Sequence, residues 1–308
     1  MLKYRRLLSV FQLIKKGDIV RKNRTLWGYF FLAPQLIGLL AFSLIPLAFA
    51  FVLSFMEWDG FGTQSFVGIQ NFIGQFQNDV FWKSLYNTAL YTVLYIPIGV
   101  SISLLLALAL NKIKGKNIYR IFYFMPVVTS SVSVGVIWMW ILNGDFGILN
   151  QILELIGING PQWLTNTNLV MISIVILSIW WQVGFNMIIF LAGLQGISNS
   201  YYEAAEIDGA TGFQKFRHIT LPMLSPTTFF VAIMAVISSF QVFDQAFVMT
   251  SGGPAKASYT LVYHIYDLAF DRFRMGEASS VAIILFVIIM IFTLIQFKGS
   301  KRWVHYEE

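Results

Sequence analysis

Long apolar stretches alternate with short polar segments along most of the chain. Six of these stretches reach the roughly 20 residues that an α-helix needs to cross a hydrocarbon core, and they lie near residues 28–56, 84–110, 119–142, 168–193, 223–250 and 279–297. A bilayer offers no hydrogen-bond partner to an open backbone, so each stretch is predicted to be helical. None alternates apolar and polar residues as a barrel strand does. The pattern predicts an all-α integral membrane protein with six transmembrane helices.

The composition agrees with this class and removes several kinds of chemistry. Of the 308 residues, 57% are hydrophobic and 12% are charged, whereas soluble proteins carry about 25% charged residues. The first stretch is longer than the apolar core of a signal peptide, so we expect it to remain as a span. There is no cysteine, which excludes disulfides, cysteine-bound metals and thiol nucleophiles. The three histidines lie outside the stretches, so we expect no haem, no other cofactor and no metal.

Basic residues are concentrated on one side of the predicted membrane. Eight precede the first stretch, in the tail 1–27, and others lie in the loops 111–118 and 194–222 and in the tail 298–308. The remaining connections hold only four: Lys83, Lys256, Arg272 and Arg274. Because Lys and Arg stay in the cytoplasm, both termini and the loop 194–222 are predicted to be cytoplasmic. The net charge of +6 reflects this asymmetry and does not indicate nucleic-acid binding.

The predicted cytoplasmic loop before the fifth stretch carries helix-capping signals. Ser200 followed by Glu203 has the spacing of a capping box, which would start a helix one residue later. Gly209 can take the left-handed conformation that ends a helix, and Thr211 followed by Gln214 repeats the capping pattern. We therefore predict two short helices with a bend between them. Taken singly, each of these residues has an ordinary structural explanation, since such caps occur in any helix pair.

Taken together, the residues of this loop resemble a known motif. The order Glu-Ala-Ala, three residues, Gly, nine residues, Ile, one residue, Leu-Pro is similar, without a gap, to the EAA loop of ATP-binding-cassette importer permeases. Other segments, such as those at 66–72, 146–150 and 250–254, resemble the first permease subunit of carbohydrate importers (the MalF-like or UgpA-like type). The residues that match the coupling motif are Glu203, Ala204, Ala205, Asp208, Gly209, Ala210, Ile219, Leu221 and Pro222.

This resemblance implies a type I importer permease fold in the bacterial inner membrane. The domains would be a basic tail (1–27), a six-helix permease domain (28–297) that contains the coupling loop 198–222, and a second tail (298–308). The implied partners are a second homologous permease subunit, a dimer of ATP-binding subunits, an extracellular solute-binding protein and the lipid bilayer. The implied substrate is a carbohydrate, and the chain would form half of its translocation pathway.

The resemblance also assigns roles within the coupling loop. Glu203 would pair with a basic side chain in a cleft of the ATP-hydrolysing subunit, while Ala204, Ala205 and Gly209 would permit close contact. ATP-driven closure of that partner would move the loop and rock the spans. The chain has no glycine-rich phosphate loop with a lysine, so we expect that it is not an enzyme and that ATP hydrolysis belongs to another subunit.

Candidate residues of the substrate pathway come from the polar positions inside the stretches. Apart from Arg120 at the edge of the third stretch, Asp244 is the only charged residue within the six, and an ionisable side chain at that depth usually faces a bundle interior or a water-filled path. Gln241 lies one helical turn earlier. Trp181, Asn186 and Phe243 are further candidates, because carboxamides bind hydroxyl groups and aromatic rings cover sugar faces. The alternatives are a structural hydrogen bond between helices for Asp244, and packing or an interfacial belt for the two aromatic residues.

An aromatic stripe lies in the predicted external segment 251–278. Tyr259, Tyr263, Tyr266 and Phe270 recur at steps of four, three and four residues. This spacing favours an amphipathic helix lying on the outer membrane surface.

Two other classes of membrane protein remain as alternatives. An ion-coupled secondary transporter for a small polar solute would show interrupted helices, an internal repeat and several ionisable groups in its spans; this chain shows one such group and no detectable repeat. A membrane enzyme would need a nucleophile, a base or metal ligands clustered at one depth, and no such set is visible.

Overall fold

The computed structural model describes residues 27–113 and 115–305, so that the predicted basic tail, apart from Trp27, lies outside the described residues. The chain divides into two units, Met1–Leu53 and Ser54–Glu308, which are described separately.

The described part of the first unit is a single helix, α1 (Trp27–Leu53). A π-helical turn at Leu40–Leu44 widens it just before Pro46. Proline has no N–H to donate, and its ring crowds the carbonyl four residues earlier. The wider turn accommodates both effects without ending the helix.

The second unit is also built mainly from helices. In chain order they are α2 (Gln70–Phe76), α3 (Asp79–Asn111), α4 (Lys116–Val128), α5 (Ser131–Ile141), α6 (Ile148–Leu155), α7 (Val170–Gly196), α8 (Asn199–Ile207), α9 (Gly212–Met223), α10 (Ser225–Phe240), α11 (Asp244–Thr250), α12 (Leu261–Tyr266) and α13 (Met275–Ser300). A small antiparallel hairpin of β1 (Met56–Glu57) and β2 (Ser65–Phe66) pairs Met56 with Phe66.

The number of spans agrees with the sequence pattern, but two of the spans are bent. Within the described residues, α1, α3, α7 and α13 are each long and apolar enough to cross a membrane. The pair α4 and α5 passes the same test with a bend of 97°, and the pair α9 and α10 passes it with a bend of 63°. The prediction of six spans is confirmed in this form, with the bent pairs counted as one span each.

The predicted third span, 119–142, is therefore two half-helices and not one straight helix. Pro126 removes a backbone hydrogen bond near the end of α4, and Thr129 and Ser130 are extended. Close packing against α7 accompanies the bend, because a Cβ atom at Gly184 would lie only 1.8 Å from the Tyr123 carbonyl oxygen. Only a glycine at position 184 lets the two backbones approach this closely.

The predicted fifth span, 223–250, also differs from the structure. It begins in α9, turns at Leu224, where Pro226 cannot extend the preceding hydrogen-bond ladder, and ends at Phe240. Residues 241–243 leave the helix, and α11 is a separate helix of 7 residues. Asp244 thus stands at the start of α11, outside the continuous span in which the sequence pattern placed it.

The helices α3 and α7 form the centre of the second unit. Tyr91, Ile174 and Leu177 are buried at their contact, and the Ser178 hydroxyl donates to the Ile174 carbonyl at 2.8 Å. Small residues bring the helices together, as is usual where no hydrophobic effect drives association. The buried Ser103 hydroxyl in α3, for example, donates to the Val183 carbonyl in α7 at 3.3 Å.

The connections of the second unit fall into two sets. Residues 197–211, with α8 and the start of α9, lie on what we call the coupling side. Residues 54–78, 142–169 and 241–274 lie on the opposite side, which we call the far side. Segments 54–78 and 251–274 together form what we call the far-side cap.

A buried polar network joins the far-side cap to α13. The Nε2 atom of His264 lies 3.0 Å from Gln75 Oε1, and Gln75 Nε2 donates to Glu277 Oε2 at 3.1 Å. The Tyr259 hydroxyl lies 3.3 Å from His264 Nδ1 and donates to Asp267 Oδ2 at 2.7 Å. Burial of the imidazole lowers the pKa of His264 to about 4, because a buried charge is poorly solvated.

The aromatic stripe is part of this cap, and it follows the predicted surface helix only in part, because Tyr259 lies outside the helix. Tyr259 precedes α12, and both Tyr259 and Tyr263 are buried. The backbone N–H of Leu261 donates to Thr88 Oγ1 in α3 at 2.9 Å. Two of the four rings are therefore covered by the second unit's own side chains, whereas Phe270 is 60% exposed.

Candidate functional site

The predicted coupling loop forms a corner of two helices, α8 and α9. Ser198 caps α8 by accepting from the backbone of Ser200, so the helix begins earlier than predicted and the expected box of Ser200 with Glu203 is not formed. Gly209 ends α8 with a φ of 75°, a conformation that glycine adopts readily. Thr211 and Gln214 form the predicted capping box at the start of α9.

Much of this corner is exposed. No residue of α8 is buried, and Ile207 and Phe213 are 88% and 70% exposed. Glu203 points into solvent and makes no hydrogen bond with the described residues, which removes the explanation that it caps its own helix. Ala204 is also exposed, while Leu221 and Pro222 stand in the last turn of α9, before the 63° bend.

A groove of about 320 Å³ runs between the two helices of the corner. Five of the nine predicted coupling residues line it, namely Ala205, Asp208, Gly209, Ala210 and Ile219. The rest of the lining comes from Gln214, Lys215 and His218. Small side chains and a backbone with positive φ keep the groove open on one side, since a Cβ atom at Gly209 would meet nothing within 4 Å. The corner thus presents a shallow concave surface that another protein can fill.

Two side-chain contacts that sequence reasoning missed hold the corner together. Lys215 Nζ lies 2.6 Å from Glu206 Oε1, and this ion pair lowers the pKa of the Glu206 carboxyl. The Tyr202 hydroxyl lies 3.1 Å from Thr220 Oγ1. Opposite charges on either side of a predicted bend were the available signal for the first contact.

A second candidate site is a cavity of about 250 Å³ at the far-side end of α10. Four of the five predicted pathway residues line it: Trp181, Gln241, Phe243 and Asp244. The rest of the lining consists mostly of Tyr91, Tyr95, Gln182, Ser238 and Gln245. Tyr91 and Tyr95 stack with ring centroids 5.4 Å apart. The cavity therefore combines aromatic faces with amide, hydroxyl and carboxylate groups.

Asn186, the fifth predicted pathway residue, does not line this cavity. It lies in α7 five residues after Trp181, and five residues at 100° each turn a side chain about 140° away around the helix. Asn186 is 9% exposed and faces the packed interior.

The break after α10 positions the polar groups of the cavity. The Val242 carbonyl, which no longer belongs to a helix, accepts the Thr260 hydroxyl at 2.8 Å. Ser131, at the start of α5, donates to Asp244 Oδ2 at 2.6 Å. The Trp181 indole N–H is buried and has no hydrogen-bond partner within the described residues. The break after α10 and the unpaired Trp181 N–H therefore lie at the cavity, and the start of α5 lies next to it.

Comparison with known proteins identifies the family. The model of the binding-protein-dependent transport system inner membrane component family matches residues 99–303. The chain belongs to this family. The chain is therefore a permease subunit of an ATP-binding-cassette importer and not an enzyme, and ATP hydrolysis resides in a separate subunit. The predicted family and the type I permease fold are both confirmed.

Three curated relatives of this permease match most of the chain. It is 39% identical to the probable ABC transporter permease protein YesP of Bacillus subtilis, over 96% of each chain. It is 36% identical to the sn-glycerol-3-phosphate transport system permease protein UgpA of Agrobacterium fabrum, over 94% of this chain and 99% of the relative. It is 34% identical to the arabinooligosaccharides transport system permease protein AraP of B. subtilis, over 88% of each.

A solved structure shares the fold of the permease. It is that of a bacterial alginate ABC transporter in complex with an alginate pentasaccharide-bound periplasmic protein. The TM-score is 0.80 at 25% identity, and the match covers 91% of this chain and 96% of the other. Nothing in these comparisons supports an ion-coupled secondary transporter.

Proposed function

We propose that this permease carries a sugar or an oligosaccharide across the bacterial cytoplasmic membrane. The observation that carries the proposal is the lining of the cavity at the end of α10, in which Trp181 and Phe243 stand beside Gln241 and Asp244. Aromatic rings cover the apolar faces of a sugar, while amides and carboxylates bind its hydroxyl groups. The arabinooligosaccharide and alginate transporters among the similar proteins support this class of solute.

The partners of the permease follow the same proposal. A second, homologous permease would supply the other half of the pathway, and a dimer of ATP-binding subunits would sit beneath both. A solute-binding protein would deliver the sugar from outside, in keeping with the periplasmic protein bound to the alginate transporter. The α8–α9 corner, with its exposed Glu203 and its open groove, is the surface that we assign to the ATP-binding subunit.

One continuous path through the chain would transmit the movement. The corner is stiffened by the pair Glu206 and Lys215, and α9 leads without interruption to the bend at Leu224 and into α10. The far end of α10 stops at the cavity, where Gln241 and Asp244 stand. A displacement of the corner would therefore change the geometry of the proposed solute site.

The solute is tested by uptake into proteoliposomes that contain the complete importer and its binding protein. The labelled panel is arabinotriose, lactose, a mannuronate trisaccharide and sn-glycerol 3-phosphate, each supplied with ATP or with a non-hydrolysable analogue. We expect ATP-dependent accumulation of at least one sugar, reduced by Trp181→Ala. Uptake of glycerol phosphate alone, or uptake that needs no ATP, would contradict the proposal.

The orientation is tested by labelling, which the absence of cysteine from the chain makes clean. Ile207 on the coupling side and Leu155 on the far side are 88% and 87% exposed, so they form a matched pair. A membrane-impermeant maleimide should label Leu155→Cys in cells whose cytoplasmic membrane is intact, and should label Ile207→Cys only after that membrane is opened. The reverse result would place the corner outside.

A further inference from the structure

The two breaks in the spans meet at one hydrogen bond. Ser131 is the first residue of α5, after the 97° bend, and Asp244 is the first residue of α11, after the break that ends α10. The Ser131 hydroxyl donates to Asp244 Oδ2 at 2.6 Å. Each residue begins a short helix that follows a break in a predicted span. The hydrogen bond therefore connects two helices that are more than 100 residues apart in the chain.

The helices that carry these two residues pack too tightly for the contact to be a chance encounter of side chains. A Cβ atom at Gly135 in α5 would lie 2.8 Å from Val248 Cγ1 in α11, and Val134 and Met249 are buried at the same contact. The backbones of α5 and α11 are thus held in a fixed relation one turn away from Ser131. The serine hydroxyl is accordingly held near the carboxylate.

The Asp244 carboxylate lies between the cavity and Ser131. Asp244 lines the cavity, whereas Ser131 is not part of the lining. Oδ2 is occupied by the serine, and Oδ1 has no hydrogen-bond partner within the described residues. An aspartate has two χ angles, and a hydroxyl donor on one oxygen restricts both.

We propose that Ser131 is a positioning residue of the solute pathway, which holds the Asp244 carboxylate so that its second oxygen accepts a hydroxyl group of the passing sugar. This inference rests on the proposed function, because it gives Asp244 a solute to bind. It adds a residue that lies outside the cavity and that the sequence pattern did not single out. Discontinuous helices at a transporter's solute site commonly provide such fixed polar groups.

The test uses the complete importer in proteoliposomes and the four-member panel described above, with uptake expressed per assembled complex. Ser131→Ala should lower sugar uptake about tenfold, the size expected when a hydrogen bond to a charged group is lost. Ser131→Thr keeps the hydroxyl and should restore most of the rate. Ser130→Ala is the matched control, because the neighbouring Ser130 side chain is exposed and caps nothing.

The decisive measurement is the double variant. If Ser131 acts through Asp244, adding Ser131→Ala to Asp244→Ala should change uptake less than about twofold, because Asp244→Ala has already removed the acceptor of the Ser131 hydroxyl. Equal losses in both backgrounds, or wild-type uptake by Ser131→Ala, would overturn the inference while leaving the proposed function in place. If Ser131→Ala prevents assembly, Ser131→Cys offers a similar volume with a weaker donor, and an effect that persists in the Asp244→Ala background again overturns it.

A wild-type importer that takes up no sugar would overturn the proposed function itself, and this inference with it. The two failures are therefore distinguished by the wild-type arm alone.

Discussion

The two ends of the second unit differ in how much of their surface is buried. On the far side, the interior of the cap is buried against the unit's own spans, with Leu261, His264 and Leu268 at most 1% exposed, while Phe61 and Phe270 remain exposed at its surface. On the coupling side, α8 has no buried residue at all, and Ile207 and Phe213 stand in solvent. The cap therefore has a buried interior of its own, whereas no residue of α8 is buried within the described chain.

The contrast also separates two kinds of hydrogen bonding. In the cap, the side chains of Gln75, Tyr259 and His264 bind one another in the interior, where an unpaired polar group is costly. At the corner, the pair of Glu206 and Lys215 lies at the surface, where water competes for both charges. Changes in the cap should therefore act on stability, and changes at the corner should act on assembly.

The largest expected effect is loss of the ATP-binding subunit from the Gly209→Asp variant. Its φ of 75° disfavours a side chain, and the new carboxylate would stand in the groove beside Asp208. We expect normal insertion into the membrane and no copurification of the ATP-binding subunit. Gly157→Asp is a matched control, because Gly157 has a φ of 78° and open space around it on the far side. Retention of the subunit by both variants would contradict the docking role of the corner.

Charge reversal at the corner should give a smaller loss of the same kind. Glu203→Lys removes the side chain that we expect to meet a basic group of the partner and leaves every internal contact of the corner intact. Its copurification yield should fall severalfold at low salt, since the interaction is electrostatic. Glu154→Lys, also exposed but on the far side, should copurify normally. Equal yields for Glu203→Lys and the wild type would remove Glu203 from the interface.

Removal of the buried imidazole should destabilise the cap without affecting assembly. His264→Leu removes the imidazole that contacts Gln75 Oε1 and the Tyr259 hydroxyl. The free energy of unfolding should fall by about 1–3 kcal/mol, because a buried polar atom is left without its partner. The melting temperature of the detergent-solubilised chain should fall, while His305→Leu, at an exposed position, should not change it. An unchanged melting temperature for His264→Leu would mean that the network contributes little.

The same histidine should make stability depend on pH. The folded-state pKa of His264 is about 4, below its ordinary value of about 6.5. Between these values the unfolded chain binds a proton that the folded chain does not, so stability rises with pH in this window and falls as pH drops from 6.5 towards 4, by at most a few kcal/mol. Melting curves across this range should show the slope for the wild type and a shallower slope for His264→Gln.

The smallest expected effect is that of Lys215→Ala. It breaks the pair with Glu206, whose carboxylate is exposed, and exposed ion pairs contribute little to stability. The melting temperature should stay unchanged at neutral pH. Because the pair lowers the pKa of Glu206, what little it contributes is lost as pH falls through that pKa. A large drop in melting temperature for Lys215→Ala would show that the corner depends on this pair for its fold.

The corner could be predicted from the sequence because its signals are local. The turn at Gly209 and the box of Thr211 with Gln214 lie within a few residues of each other, and the motif spans only 203–222. The start of α8 was placed too late, because Ser198 competes with Ser200 for the cap and both residues are good caps.

The breaks in the spans could not be predicted because their causes lie far away in the chain. The segment 241–243 contains neither glycine nor proline, and its freed Val242 carbonyl is satisfied by Thr260, 18 residues later. The bend after α4 is packed against Gly184. An apolar run has the same hydrophobic pattern whether its helix is straight or bent. The pattern therefore predicts the six spans but not the bends within them. The same long-range packing buried Tyr259 and Tyr263 of the aromatic stripe.

The 97° bend between α4 and α5 has a consequence for electrical insulation. Midway along a span, the extended residues Thr129 and Ser130 leave peptide groups outside any helix, and hydrocarbon cannot solvate them. The Thr129 N–H and the Ser130 carbonyl are paired within the bend, so water is needed only for the remaining groups. If the bend faces a water-filled path, that path has to be sealed from one face or the other throughout the transport cycle, because a cytoplasmic membrane that stores an ion gradient cannot tolerate a continuous water column. A variant that held both faces open would then dissipate the gradient even with no solute present.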